Sequence, residues 1–373
     1  AIRTRQQIQD EMDRLKTRIR VTGDPTEVQV SIEATRDNFP DALKLLADIL
    51  RNPAFPVSEL ELVKQENIAT REEARNDPMG RAGESYRRHM SPLPADDPRY
   101  LGTADEDIAA TKATTLEQIK DFHHAFYGAA AGTMAIAGDI DAAPTQALLT
   151  TLFGDWKAAT PFTRIPNPFA VIAASNESIE TPDKANAMFL AGQRLPINDS
   201  SPDYAAMLLG NFMTGGGFLN SRLGVRIRQK EGLSYGVGSF LQLSSWEQNG
   251  IFGGYAIYAP QNAAKLEAAF KEEIQRVLKD GFTAEEIAAA KSGWLQSNTV
   301  SRSNDDELAR TLATNEYVGR TMAYQGELET HVGTLSNADI LTAMRKYLDV
   351  LNMSIVKAGD FAGAAKGVAA PNQ

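Results

Sequence analysis

The strongest restriction on what this chain can fold into is that it reads as one run of elements written twice. Phe55-Pro56 opens a long, charge-rich helix that runs toward Arg75 and is stopped by Asn76-Asp77-Pro78. Phe282-Thr283 opens another in the second half of the chain. Thr115-Leu116 begins a helix through Tyr127, and Thr334-Leu335 repeats that start at nearly the same spacing. Gly138-Asp139 closes an expected strand over Thr133 to Ala137, and Gly359-Asp360 recurs at nearly that spacing again. In the first copy Ile19 and Val21, then Val28, Val30 and Ile32, alternate like half-buried strands around a Gly23-Asp24-Pro25 turn. In the second, Leu233 to Leu241 and Ile251 to Tyr258 read as strands, followed by a helix with Leu266, Phe270, Ile274 and Val277 inward. Chance likeness of two helix-rich segments is the alternative, and the shared order argues against it. The expectation is two copies of one α+β unit, residues 1–160 and 164–373, joined by a linker at Ala158 to Pro168 rich in proline and small residues.

The copies are unequal. Arg164 to Gly224 has no counterpart in the first, so the first unit is expected to lack an opening of about 60 residues. The chain begins Ala-Ile-Arg and reads as a processed product or a piece of something longer.

The segment present only in the second copy ends in the run Met213-Thr214-Gly215-Gly216-Gly217-Phe218-Leu219-Asn220-Ser221-Arg222-Leu223. Three successive glycines inside a helix or strand would cost stability, so they predict a flexible loop. Leu219, Leu223 and Ile227 then recur at helical spacing, and Gly232 is placed to end that helix. Arg228 therefore falls at a helix end and Tyr235 near a strand start, and a corner of this length can turn both toward one cleft. Two readings stand side by side. Arg228 complements a helix C-terminus and Tyr235 is a core aromatic with a wet hydroxyl, or the two bind something together.

Bulk properties remove whole classes of function. At 373 residues the chain is long enough for two domains, and 43% hydrophobic with 23% charged residues describes a globular protein. No apolar run approaches ~20 residues, so no helical span and no membrane insertion is expected. A net charge of −10 argues against nucleic acid as a partner. There is no cysteine, which excludes disulfides, thiol nucleophiles and Cys-ligated zinc. That absence is compatible with either side of a membrane; together with the processed start it favours the periplasm over other compartments.

The Gly-rich run into Ser221-Arg222-Leu223, and the Arg228 and Tyr235 that flank Gly232-Leu233, resemble the second, non-catalytic half of the insulinase/pitrilysin-type zinc peptidases, the inverzincins. The resemblance covers nearly the whole chain and is strongest from Thr181 to Tyr258. It implies two insulinase/pitrilysin-type units, each an antiparallel-rich sheet packed with helices, the first N-terminally incomplete. It also implies that two halves close around an unfolded peptide. A zinc-bearing catalytic half, from the same precursor or a separate subunit, adds the peptide to a sheet edge. This half grips the backbone with Arg228 and Tyr235, under a flap formed by Gly215, Gly216 and Gly217. By the same resemblance the only cofactor is zinc, held in the partner half.

The residues here do not supply a zinc site of the family's kind. An inverzincin needs His-x-x-Glu-His on one helix face. The four histidines, His89, His123, His124 and His331, make no such motif and no i,i+4 pair. His123 and His124, adjacent on a helix, point about 100° apart. By ungapped counting the family's third ligand, a glutamate, falls on Thr70 in the first unit and Ser297 in the second. Glu66, Glu72 and Glu73 lie nearby but read as a solvated helix face. Ser221 and Ser234 have no neighbouring histidine, and Gly215 to Gly217 is followed by no Gly-Lys-Ser/Thr, so neither a serine hydrolase nor a phosphate loop is supported. The expected function is the substrate-binding, non-catalytic half of a zinc metalloendopeptidase, inactive alone. A non-enzymatic scaffold subunit of the same fold is the rival, and a catalytic half cut before its motif is a third reading that Thr70 disfavours.

Overall fold

A computed structural model describes residues 3–369. Its contacts gather the chain into two compact units that interleave in sequence. One holds residues 1–69, 106–165 and 299–322, the other 70–105, 166–298 and 323–373.

In the first unit, β1 (Arg18–Gly23) and β2 (Val28–Glu33) form an antiparallel hairpin, with Ile19 opposite Ile32 and Val21 opposite Val30. The Asp24 side chain closes the turn by accepting from the Thr26 and Glu27 amides at 2.6 and 3.0 Å. The alternation is as expected, yet both faces of the ribbon stay open, and Val21, Val28 and Val30 are each about 40% exposed (40, 43 and 38%). Burial in this unit is carried by the helix Phe39–Arg51. Pro40 sits in its first turn, and it buries Phe39, Ala42, Leu43, Leu45, Leu46 and Ala47 along one stripe. Helix Leu116–Phe126 starts on a capping box made by Thr115 and Gln118. His123 on that helix turns inward, its Nε2 2.8 Å from the Leu50 carbonyl and its ring edge-on to Phe55.

The expected strand at Thr133 to Ala137 does not form; the backbone there joins no ladder. Its counterpart in the second unit has strands on both sides, and a strand without a neighbour has nothing to bond to. The Thr133 hydroxyl lies 3.5 Å from the Ala313 carbonyl of helix Asp305–Tyr317.

The second unit is built on a five-stranded sheet. Its strands are β3 (Asn176–Glu180), β4 (Ala187–Leu195), β5 (Ser234–Leu243), β6 (Gly250–Tyr258) and β7 (Ser354–Gly359), in the spatial order β3-β7-β4-β6-β5. Every pairing is antiparallel except β3 with β7. One face carries the main core, with Phe189, Phe252 and Tyr258 from the sheet against Met207 and Leu209, Leu266, Phe270 and Ile274, and Ile340 and Met344 of three helices. The Phe189 and Phe270 rings sit 5.1 Å apart. The other face packs Met188, Val356 and Ala358 on Ala82, Tyr86 and Met90 of helix Pro78–Met90.

That last helix shows how the repeat is used in space. Pro78–Met90 and Asp305–Tyr317 each have 13 residues. They stand at the same spacing that separates Phe55 from Phe282, so they are the same element in the two copies. The earlier one packs in the unit made mostly of later sequence, and the later one belongs to the unit made mostly of earlier sequence. Among the described residues no helix is long and apolar enough to cross a membrane.

Candidate functional site

The Gly-rich run is not the open loop its composition predicts. Helix Tyr204–Asn211 continues into a wider, π-helical turn, Phe212–Gly216, closed by the Gly217 amide donating to the Phe212 carbonyl at 2.6 Å. Met213, Thr214 and Gly215 are buried there, and the Thr214 hydroxyl donates to the Gly210 carbonyl at 2.7 Å. The glycines are dictated by tertiary packing. A Cβ on Gly215 would come within 2.5 Å of the Ser239 amide nitrogen in β5 and 2.7 Å of its hydroxyl. One on Gly217 would meet the Phe212 carbonyl at 2.6 Å. The stability that glycine costs locally is offset by a contact no larger residue could make. Of the three, Gly216 alone is exposed.

A second π-helical segment, Gly224–Lys230, follows, and π turns are rare and concentrate at functional sites. Leu223 and Ile227 face the core, both with 0% of their surface exposed. The other side is held by two arginines one turn apart. Arg222 makes a paired contact with both carboxylate oxygens of Glu286, at 2.5 and 2.7 Å, and its guanidinium lies 5.8 Å over the Phe282 ring. Arg226 pairs with Glu231, in the turn that follows, and with Glu272 at 2.8 Å. Beneath both lies Glu273, 2% exposed, with Arg222, Arg226 and Arg276 at 3.8, 3.7 and 3.3 Å. Burial alone would raise the Glu286 pKa, but the Arg222 guanidinium and the Thr283 amide hold the carboxyl below its ordinary range. The hydrogen bonds to Glu231 and then Glu272 push Arg226 further up. Sequence reasoning did not single out this clamp. Its trace was there in the i,i+4 spacing of Arg222 and Arg226, but their acidic partners lie 46 to 64 residues away or in the turn beyond.

The clamp leaves Arg228 outside. After Ile227 the chain turns through Gly232, at φ +62°, and the Leu233 amide returns to the Ile227 carbonyl at 2.9 Å. Residues 227 and 233 are thus bonded to each other, which brings Arg228 and Tyr235 to one corner. At the start of β5, Ser234 pairs with Tyr258 and Gly236 with Ile257, so Tyr235 is the extra residue of a β-bulge. Ser234 points into the core and donates to the Ile257 carbonyl at 2.7 Å, while Tyr235 is turned out and 59% exposed. Arg228 is exposed as well, and no hydrogen bond or ion pair among the described residues engages either side chain. The reading of Tyr235 as a core aromatic is thereby set aside. The corner offers a permanent cation and a phenolic donor, both solvated, on a backbone fixed by half-buried ion pairs.

Zinc finds no matching donor set. The His89 ring nitrogen Nε2 is already engaged, 3.0 Å from the Ala173 carbonyl, 2.8 Å from the Ser354 hydroxyl and 3.2 Å from that of Ser175. His123 is committed to Leu50. Among the described residues no three His, Asp or Glu side chains come together in a metal-binding arrangement.

The family model "Peptidase M16 inactive domain" matches residues 113–293, which include the π-helical turns, the arginine clamp, Arg228 and Tyr235. A Rickettsia felis protein named as an uncharacterized zinc protease is 25% identical over 371 residues, covering 97% of this chain and 85% of its own. The Helicobacter pylori protein named non-peptidase homolog YmxG is 22% identical, covering 88% of this chain and 74% of its own. A Mycobacterium leprae protein, also named a zinc protease, is 28% identical but aligns over only 55% of its length. Among solved structures, a peptidase M16 inactive domain from Pseudomonas fluorescens superposes with a TM-score of 0.80 at 23% identity, covering 96% of this chain and 84% of that one.

Proposed function

On the match of residues 113–293 to the peptidase M16 inactive domain, we propose that this chain is the substrate-gripping, non-catalytic half of a zinc metalloendopeptidase. The observation that carries the reading is the corner itself. A guanidinium and a phenol stand unpartnered and exposed on a backbone that two half-buried arginines hold in place. Polar groups without internal partners on a rigid frame cost the fold nothing to redirect and are suited to an external acceptor. Peptide carbonyls are such acceptors. Arg228 fixes one by a charge-assisted hydrogen bond, and the Tyr235 hydroxyl donates to its neighbour or to the oxyanion that develops as the bond is attacked. Zinc and the water it activates come from a partner half, since among the described residues no three His, Asp or Glu side chains gather to hold a metal. Residues 1–160 and 164–373 are then tandem copies in sequence, and the bound ligand is an extended, unfolded polypeptide.

The test is peptide hydrolysis by the assembled enzyme. Tyr235→Phe is expected to lower turnover about 10²-fold, the usual cost of removing one oxyanion donor, with the assembly intact by gel filtration. Unchanged turnover removes Tyr235 from the mechanism.

A scaffold without peptidase activity is the second reading, favoured by the printed name of the Helicobacter pylori relative. It predicts that Arg228→Ala combined with Tyr235→Phe alters no hydrolysis at all, while assembly with the partner is kept.

A further inference from the structure

The outer face of the second unit's sheet, next to Tyr235, carries a feature that the backbone grip does not use. Along β5, Val237 and Ser239 turn toward the main core, while Gly236, Gly238 and Phe240 lie on the opposite face, across from Ile257, Tyr255 and Gly253 of β6. The bulge puts Tyr235 on this outer face too. Tyr255 is 39% exposed, and its ring occupies the place a Gly238 side chain would take, with ring atoms 3.0–3.1 Å from that Cβ position. Glycine at 238 is therefore explained by a neighbour inside the protein.

Glycine at 236 is not. A Cβ there would touch only the Ile257 Cδ1 methyl, at an ordinary 4.0 Å. Its backbone φ also lies outside the left-handed region, which in this chain holds only Gly138, Gly232, Gly281 and Gly319 among the described glycines. Glycine inside a strand weakens it, and where packing does not demand one it marks the close approach of another backbone or a ligand. Gly236 thus leaves an open shelf floored by Ile257, with Tyr235 at one end and the Tyr255 ring about 10 Å along the strand at the other.

We propose that this shelf seats a large apolar or aromatic side chain of the extended peptide whose backbone the Arg228–Tyr235 corner holds. The proposal rests on the functional reading above and deepens it by naming a substrate preference. The occupant is a peptide because β5 is the last strand of its sheet, with no strand on its outer side, and Tyr235 joins the shelf to the corner without a break. The preferred side chain is apolar because the shelf presents a methyl floor and aromatic walls, whose burial is the favourable term.

The test is fluorescence anisotropy of the full chain with two labelled probes, each a Gly/Ser peptide of about twelve residues with a single central Phe or, in its twin, Ala. The Phe peptide is expected to bind about tenfold more tightly than the Ala peptide. Gly236→Leu places a Cβ that meets nothing closer than 4.0 Å and extends its side chain into the shelf, so it should fold as the parent does by circular dichroism. It should bring that ratio to about one while leaving the Ala peptide's affinity unchanged. Tyr255→Phe, which keeps the ring, should preserve the ratio, and Arg228→Ala should weaken both peptides by the same factor. Equal binding of the two peptides to the parent chain, or a ratio that survives Gly236→Leu, overturns the shelf and leaves the corner standing. Failure of either peptide to bind at all overturns the corner, and the shelf with it.

Discussion

The two units start from the same sequence pattern and end with sheets of very different character. In the second, β6 runs between β4 and β5, and β7 between β3 and β4, so the central strands are covered and Phe189 and Phe252 have 0% of their surface exposed. In the first, β1 and β2 have only each other, the segment matching β7 stays out of any ladder, and the valines of the ribbon are open to water. The difference follows from one strand. Only β4 touches both β6 and β7, and no described strand of the first unit takes its place. Alternating residues specify a strand's faces, but a ladder needs a neighbour on each side before those faces can be covered.

The sharpest way to break this comparison is to truncate one apolar residue in each sheet and follow chemical denaturation. Phe189→Ala, which removes a fully buried ring packed on Phe270, is expected to cost about 3–5 kcal/mol. Val30→Ala on the open ribbon should stay within about 0.5 kcal/mol. A Val30→Ala cost above about 1.5 kcal/mol would mean that the ribbon is covered in solution and that the contrast is false.

A smaller effect is expected at the glycine run, which exists only in the second unit. Gly215→Ala forces a methyl against the Ser239 amide and should cost about 2 kcal/mol, the usual penalty for overfilling a packed site. A stabilising Gly215→Ala, as expected for a loop losing backbone freedom, would restore the flap reading.

The smallest effect sharpens the role of the clamp. The Glu286 pKa is depressed in the fold, so the unfolded chain binds its proton more readily. The stability contributed by the Arg222–Glu286 pair is therefore present above the ordinary glutamate value of 4.5 and is lost as pH falls through the lower folded value. Glu286→Gln should show a shallower fall of melting temperature than the parent between about pH 5 and about pH 3. Parallel curves would show that this pair contributes nothing to the acid response. Ion pairs on the first unit's surface, such as Arg36 with Asp139 and Asp141, are largely exposed, and removing Arg36 should leave the melting temperature where it was.

What could be read from the sequence was what local chemistry writes. The Thr115 cap, the Asp24 turn, the inward face of the Leu266–Val277 helix and the helix-to-strand corner at Gly232 all formed where their residues placed them. Arg228 and Tyr235 fall at the helix end and strand start their spacing predicts. The failures share one cause, a partner remote in sequence. Gly215 reads as part of a flexible loop because nothing nearby announces Ser239. Thr133 to Ala137 has the composition of a strand but no strand beside it. The exchange of helices Pro78–Met90 and Asp305–Tyr317 leaves no local trace either, since an amphipathic stripe does not say whose core it will cover.

The extra residue at Tyr235 has a consequence for crowded solutions. An outermost strand is a standing invitation to its own copies, and two straight strands of this kind can zip together along their whole length. A bulge at the strand's start bends and twists it there, so a twin could zip only onto the regular stretch from Gly236 to Leu243. The same irregularity that turns the phenol outward therefore shortens the edge on which copies of this chain could meet.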